Sequence, residues 1–178
     1  NTGGDFRGSI AIQKDSGALS FGADKEITVT HSADTGLAFK NTNTGDDKPF
    51  TLTLQTGETD IAINDKLGVI NFQAPDEGTG TDAILVAAGI EAVSEGDFSA
   101  SNNATKLVFK TAASELASEK MSLSSAGLLT IADDLVIKDG GTIGVSSDTD
   151  SITIDASGNV TASQNLTVSG NLSVTGTT

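Results

Sequence analysis

His31 is the only histidine in the chain, and the sequence contains no cysteine. Zinc sites in proteins combine several His, Cys or carboxylate ligands, so one imidazole cannot complete such a set alone. His31 lies in the run Val29-Thr30-His31-Ser32, near the end of a predicted strand. We therefore expect His31 to be a surface or inter-chain polar residue rather than a base or a metal ligand.

Aspartates lie close together at three places, Asp46-Asp47, Asp133-Asp134 and Asp148 with Asp150. Neighbouring carboxylates could bind calcium or cleave a glycosidic bond. However, the chain has no EF-hand loop with its terminal Glu, and it has no Trp or Tyr to form a platform for a sugar. The surrounding Gly, Ser and Thr favour an interpretation as turn-forming, solvated aspartates.

Motifs for other enzymatic chemistry are absent from the sequence. There is no Gly-x-Ser-x-Gly nucleophile turn, and there is no phosphate-binding loop ending in Gly-Lys-Ser or Gly-Lys-Thr. We predict no catalytic residue, no cofactor and no metal ion. The chain is accordingly expected not to be an enzyme.

Apolar residues recur in pairs two positions apart, and turn-forming residues separate the pairs. In the last third of the chain the pairs are Leu129/Ile131, Leu135/Ile137, Ile143/Val145, Ile152/Ile154, Val160/Ala162, Leu166/Val168 and Leu172/Val174. A period of two with a turn after each run predicts short strands that each bury one face. Residues 165–170 (NLTVSG) and 171–176 (NLSVTG) form a near-perfect six-residue repeat, a length typical of β-helical and fibrous proteins.

The same pairing extends through the first part of the chain. Its pairs are Ile10/Ile12, Leu19/Phe21, Ile27/Val29, Leu37/Phe39, Leu52/Leu54, Ile61/Ile63 and Ile70/Phe72, followed later by Leu107/Phe109 and Met121/Leu123. Residues 82–95 are Ala-rich and fit either a helix or two strands. Residues 111–120 allow a helical turn, and residues 96–104 read as a surface loop.

Composition limits the architecture and the partners. The 178 residues include 20 Gly and only 4% aromatic side chains, too few large side chains for a wide sandwich core, so a fibrous β arrangement is favoured. The net charge of −14 opposes binding to nucleic acid. No apolar run approaches the roughly 20 residues that a membrane-spanning helix needs. The chain begins without Met, so we expect it to be a segment or a processed product.

The residues from about 65 to 134 carry a recognisable order of segments. Residues 67–78 read LGVINFQAPDEG, 87–92 read AAGIEA, 107–111 read LVFKT and 118–127 read SEKMSLSSAG. This order resembles a module of bacteriophage tail fibres and related virion proteins, and the Gly-rich repeats after it resemble fibre shafts, especially in phages of marine bacteria. Lys120 and Ser122 stand where the family carries arginine, and residues 1–60 match only in composition.

The resemblance implies an all-β, elongated and repetitive fibre, a triangular β-prism or β-helix-like structure formed by an intertwined homotrimer with at most one short helix. Three chains that each contribute one apolar stripe could close such a prism and leave no free sheet edge. The expected divisions are residues 1–64, an N-terminal β-repeat region, 65–134, the phage-fibre module, and 135–178, a short-repeat shaft.

The function that follows is structural: a trimeric tail-fibre shaft of a phage virion that supports host recognition and attachment. The expected partners are other copies of the chain, other tail or capsid proteins and a host cell-surface receptor, without nucleic acid or membrane insertion. The alternatives are a fibre that decorates the capsid or neck, a bacterial surface adhesin domain, and a tailspike that degrades polysaccharide.

Overall fold

A computed structural model of the chain describes residues 11–75, 78 and 80–176. Its regular elements are eleven β-strands and one short 3-10 turn, Asp82–Ile84, so the described chain is all-β as predicted. The strands form three separate antiparallel sheets, and none of the sheets closes into a barrel. The chain divides into two compact units, Asn1–Gln55 and Thr56–Thr178, and the predicted boundaries at 64/65 and 134/135 stay predictions.

The first unit contains a three-stranded meander. Its strands are β1 (Ala18–Phe21), β2 (Ile27–Ser32) and β3 (Gly36–Asn41), in the order β1-β2-β3. A tight turn at Ala33–Thr35 joins β2 to β3, closed by a hydrogen bond from the Thr35 N–H to the Ser32 carbonyl at 3.0 Å. After β3 the chain continues without a strand, and Phe50 packs against Phe39 with ring centroids 5.9 Å apart.

The second unit begins with a five-stranded meander. Its strands are β4 (Lys66–Gln73), β5 (Val86–Ser94), β6 (Thr105–Thr111), β7 (Ser118–Leu123) and β8 (Leu129–Ile131), each paired with the next. Residues 61–65 join the end of β5, where the Ser94 N–H donates to the Asp65 carbonyl at 2.9 Å and the Asn64 N–H donates to the Ser94 carbonyl at 3.1 Å. This sheet lies within residues 65–134.

A second three-stranded meander follows in the same unit. It consists of β9 (Gly141–Val145), β10 (Asp148–Ile154) and β11 (Val160–Ala162), with β10 in the centre. The turn between β10 and β11 is organised by Asp155, whose carboxylate accepts hydrogen bonds from the N–H groups of Ser157 at 2.8 Å and Asn159 at 2.9 Å. Gly158 supplies the positive φ of 81° that this turn requires.

Ten of the predicted apolar pairs lie in strands, and these predictions are confirmed. They are Leu19/Phe21, Ile27/Val29, Leu37/Phe39, Ile70/Phe72, Leu107/Phe109, Met121/Leu123, Leu129/Ile131, Ile143/Val145, Ile152/Ile154 and Val160/Ala162. Residues 82–95 are neither a helix nor two strands, because Val86–Ser94 continues through Gly89 as one strand, β5. No helical turn forms in 111–120, which contains the end of β6, a loop and the start of β7.

The remaining predicted strands are wrong for the single chain. Leu52/Leu54, Ile61/Ile63, Leu135/Ile137, Leu166/Val168 and Leu172/Val174 lie outside the assigned strands, and so does Ile12, while Ile10 lies outside the described residues. A strand needs a neighbour that pairs with its backbone along its length, and the described chain provides no such ladder for these segments. The segment with Ile61 makes only isolated backbone hydrogen bonds, such as the one from the Phe98 N–H to the Ile61 carbonyl at 2.8 Å.

Candidate functional site

One face of the five-stranded sheet is apolar across its middle, with the polar residues Ser94, Thr105 and Thr111 at its ends. The register places Ile70 opposite Ile90, Ile90 opposite Phe109 and Phe109 opposite Met121, so these side chains share a face. We call this surface the apolar face. It consists of Ile70, Phe72, Ala88, Ile90, Ala92, Leu107, Phe109, Met121, Leu123, Leu129 and Ile131. Phe72 and Leu129 on it are each 55% exposed.

The opposite face of the same sheet is charged and closely ion-paired. Glu91 in β5 is only 5% exposed, and its Oε1 accepts a hydrogen bond from Lys66 Nζ in β4 at 2.9 Å and another from Lys110 Nζ in β6. Lys106 Nζ in β6 donates to Glu119 Oε2 in β7 at 2.9 Å. The aliphatic stems of these lysines cover the sheet while their charges pair across strands.

The ion pairs set the ionisation of the two glutamates. Burial of the Glu91 carboxylate acts to raise its pKa, but the hydrogen bonds and positive charges of Lys110 and Lys66 outweigh it and hold the pKa below 4.5. A hydrogen bond from Lys106, with a smaller one from Ser122, likewise lowers the pKa of Glu119. Both carboxylates therefore stay charged above mildly acidic pH.

The sheet of the first unit has the same two-sided construction. Leu19 pairs with Val29, and Val29 pairs with Phe39, so one face carries Leu19, Phe21, Ile27, Val29, Leu37 and Phe39. Thr28, Thr30 and Lys40 lie on the other face. Leu37 is 64% exposed, which leaves this second apolar surface largely uncovered.

His31 lies at the end of this second apolar surface, directly opposite Leu37. Its Nδ1 is 3.6 Å from Asp15 Oδ1, and both side chains are exposed. No group of three or more potential metal ligands gathers among the residues that the structure describes. In one copy His31 is thus a surface residue beside an apolar patch, without the neighbours that a metal site needs.

The C-terminal sheet also has one mainly apolar face and one polar face. Ile143, Ile152 and Ala162 align across its strands, and Gly141, Ile154 and Val160 form the next row. Thr142, Thr153 and Thr161 share the opposite face. Ile143 and Ile152 are 46% and 39% exposed.

The aspartate pairs lie on surfaces rather than in a cleft. Asp46 and Asp47 lie in a bend after β3, where the Asp46 carboxylate accepts a hydrogen bond from the Asp47 N–H at 3.1 Å. Asp133 and Asp134 follow β8, and Asp148 and Asp150 lie in β10. All except the half-buried Asp148 are exposed, so the structure assembles no carboxylate pair within a pocket at these positions.

The apolar core within one copy is very small. Among the described residues only Val93, Val108 and Ala117 are buried apolar side chains. Val93 and Val108 lie on the charged face, beneath the lysine stems, rather than on the apolar face. The surface with the most large apolar side chains is therefore the one that a single copy leaves open.

The sequence contains one signal for the ion pairs of the charged face. Glu91 is a lone charge in the apolar run 86–93, and it alternates with Ile90 and Ala92. Such a charge indicates that the strand has two unlike faces. Its lysine partners could not be chosen from the sequence, because the cross-strand register decides which of them reach it.

No family model matches the chain, and no curated protein or solved structure matches it either.

The described chain contains no helix long and apolar enough to cross a bilayer.

Proposed function

We propose that this chain is a non-enzymatic structural segment of a bacteriophage tail fibre, and that its apolar faces are the surfaces through which copies assemble. The observation that carries the proposal is the uncovered apolar face of the five-stranded sheet. Isolated exposed apolar residues are ordinary, but a contiguous patch spanning five strands marks an interaction surface.

Burial between copies supplies the stability that one copy lacks. A pair such as Ile70 and Phe72 contributes on the order of 2–4 kcal/mol when it leaves water, before the entropy of association is subtracted. Four of the five strands carry such a pair, and β5 contributes Ile90 between Ala88 and Ala92. The repulsion between acidic copies, each with a net charge of −14, opposes association and must be exceeded by this burial.

Three copies suit the strands better than two. Most strands offer only two inward residues, such as Leu107 and Phe109 in β6 or Met121 and Leu123 in β7. Three such strands around an axis form a narrow layer of six side chains and leave no open face. A two-sheet sandwich needs a layer about 10 Å thick with interdigitating side chains from both faces. The finer structure that we propose is a β-prism or β-helix-like, intertwined homotrimer.

The virion setting rests on the segment order of residues 65–134 that resembles phage-fibre modules. In this setting the charged face with Glu91 and its lysines points to solvent, and the fibre holds a receptor-binding region away from the particle. Its contacts are other copies of the chain, tail or capsid proteins and a host cell-surface receptor. The place of action is the virion.

Immunogold electron microscopy tests the setting. Antibody raised against this chain should label thin appendages on phage particles produced by cells that express it. Labelling at the tail supports the proposal, and labelling of the capsid or neck favours a decorating fibre. Labelling of the bacterial envelope in the absence of particles would contradict the proposal and favour the adhesin.

A further inference from the structure

The C-terminal repeat has no strand partner among the residues that the structure describes. Bends at 163–164, 169–170 and 176 separate residues 165–168 and 171–175, which have no assigned secondary structure, so the bends follow the six-residue repeat. The last backbone hydrogen bond in the described chain runs from the Ser163 N–H to the Ser151 carbonyl at 3.0 Å. The backbone groups of residues 164–176 are therefore available to another strand.

The side chains of the repeat are those of a strand with one buried face. Leu166 and Leu172 are 77% and 71% exposed, and they alternate with Thr167 and Ser173. β-branched and Thr-rich alternation of this kind favours an extended chain in a ladder. The sequence thus favours strands here, and neither their apolar side nor their backbone has a partner among the described residues.

Charge identifies the partner. The chain has 24 acidic and 10 basic residues, yet residues 156–178 contain no Asp, Glu, Lys or Arg. Copies of this chain repel one another along most of their length, and this repulsion is absent at the repeat. An uncharged, self-repeating segment is complementary in side-chain pattern to the same segment of an identical chain.

We infer that residues 165–176 complete their β-ladder with the same residues of other copies, and that this repeat aligns the copies in register. This inference rests on the homotrimer proposed above, with Leu166, Val168, Leu172 and Val174 facing the shared axis. Asn165, Thr167, Asn171 and Ser173 face solvent. A shift by one repeat would keep the apolar side chains on the same side but leave six residues of each shifted chain unpaired, so the number of paired residues favours a single alignment.

Hydrogen exchange on the full chain tests the inference, with the particle mass measured on the same sample by light scattering. In the assembled chain, the amides of residues 166–168 and 172–174 should exchange at least about 100-fold more slowly than in an unstructured chain. Combined Leu166→Asp and Leu172→Asp substitutions should abolish this protection. The matched pair Thr167→Asp and Ser173→Asp adds the same charge on the opposite side and should retain most of it.

The possible outcomes separate this inference from the homotrimer. A three-chain particle with unprotected amides in 166–174 would overturn the inference and leave the homotrimer standing. Slow exchange of these amides in a two-chain particle would support pairing of the repeat between copies and would contradict the proposal of a homotrimer. A single-chain particle would overturn both, whether or not the amides were protected.

Discussion

At the scale of single residues, stability within one copy depends on polar contacts more than on an apolar core. The Glu91 carboxylate is almost fully buried yet charged, because two lysines from the neighbouring strands reach the same oxygen. Removing one member of a buried ion pair leaves the others desolvated without compensation. The cluster should therefore be sensitive to small changes in charge.

Glu91→Gln should lower the free energy of unfolding by about 1–3 kcal/mol at neutral pH, because Lys110 then stays partly buried without its counter-charge. The measurement is urea unfolding of the wild type and the variant. Glu58→Gln, a change of the same kind at an exposed site, is the control. Equal stability of Glu91→Gln and the control would contradict a stabilising role for the cluster.

The same cluster should make stability depend on pH. The pKa of Glu91 in the folded chain lies below its ordinary value of 4.5, so its contribution is fully present above that value and is lost as pH falls through the folded pKa. Denaturant unfolding from pH 6 to about pH 3 should therefore show a steeper acid loss for the wild type than for Glu91→Gln. Parallel curves would contradict the assignment.

Gly144 lies where the backbones of β9 and β10 approach each other closely. The strand opposite it contains a bulge between Asp148 and Ile152, and a Cβ at residue 144 would overlap the backbone of Asp148 and Thr149. Gly144→Ala should destabilise this hairpin by roughly 1–3 kcal/mol, measured as faster hydrogen exchange in β9 and β10. Gly57→Ala, where a Cβ would meet nothing within 4 Å, should leave that exchange unchanged. Similar exchange in both variants would argue against the close contact.

At the scale of elements, the strands that could be predicted are those whose partners lie nearby in the chain. Leu19/Phe21, Ile27/Val29 and Leu37/Phe39 became the paired strands β1 to β3 because short turns bring them together. Leu52/Leu54 and Leu166/Val168 have the same alternation but no strand partner in the part of the chain that the structure describes. The sequence therefore predicted extended segments well, but it could not predict which segments pair inside a single chain.

The apolar face could be predicted from the sequence in part, and the ion pairs of the charged face could not. The apolar pairs predicted which side chains would share a face, since side chains alternate along a strand. The continuity of the apolar face across β4 to β8 depends on the cross-strand register. Two β-bulges shift this register, one between Lys66 and Gly68 and the other between Phe109 and Lys110. That register also decides the partners of Glu91, and so the charged network could not be derived from spacing alone.

The apolar and polar faces of β10 should respond differently to charge. Ile152→Asp places a carboxylate among Ile143 and Ala162 on the side proposed to face other copies, where desolvation penalises it. Thr153→Asp introduces the same group on the opposite face. Sedimentation velocity should show the first variant losing the assembled species and the second retaining it. Equal assembly of the two variants would contradict an inter-chain apolar core.

At the scale of the whole molecule, the free energy of the proposed assembly is set by two opposing contributions, burial of apolar side chains and repulsion between acidic copies. Each copy has a net charge of −14, so the proposed association would bring together three strongly acidic chains. Screening weakens repulsion between exposed charges once the Debye length falls to about 10 Å or less. Dilute salt should therefore be the condition that most opposes assembly.

Raising the salt concentration from about 0.01 M to about 0.15 M should increase the assembled fraction at a fixed chain concentration. Sedimentation velocity across this range measures the effect. The Thr153→Asp variant, with one more negative charge per copy, should need more salt to reach the same fraction. A decrease of assembly with added salt would indicate that attractive ion pairs, rather than apolar faces, hold the copies together.

The central claim is that the apolar faces are covered by two other copies of the chain. Light scattering coupled to size-exclusion chromatography on the purified chain tests it most directly. We predict a mass three times the 17.9 kDa of one chain, with an elution volume earlier than that of a globular protein of that mass. A single species at 17.9 kDa would contradict it.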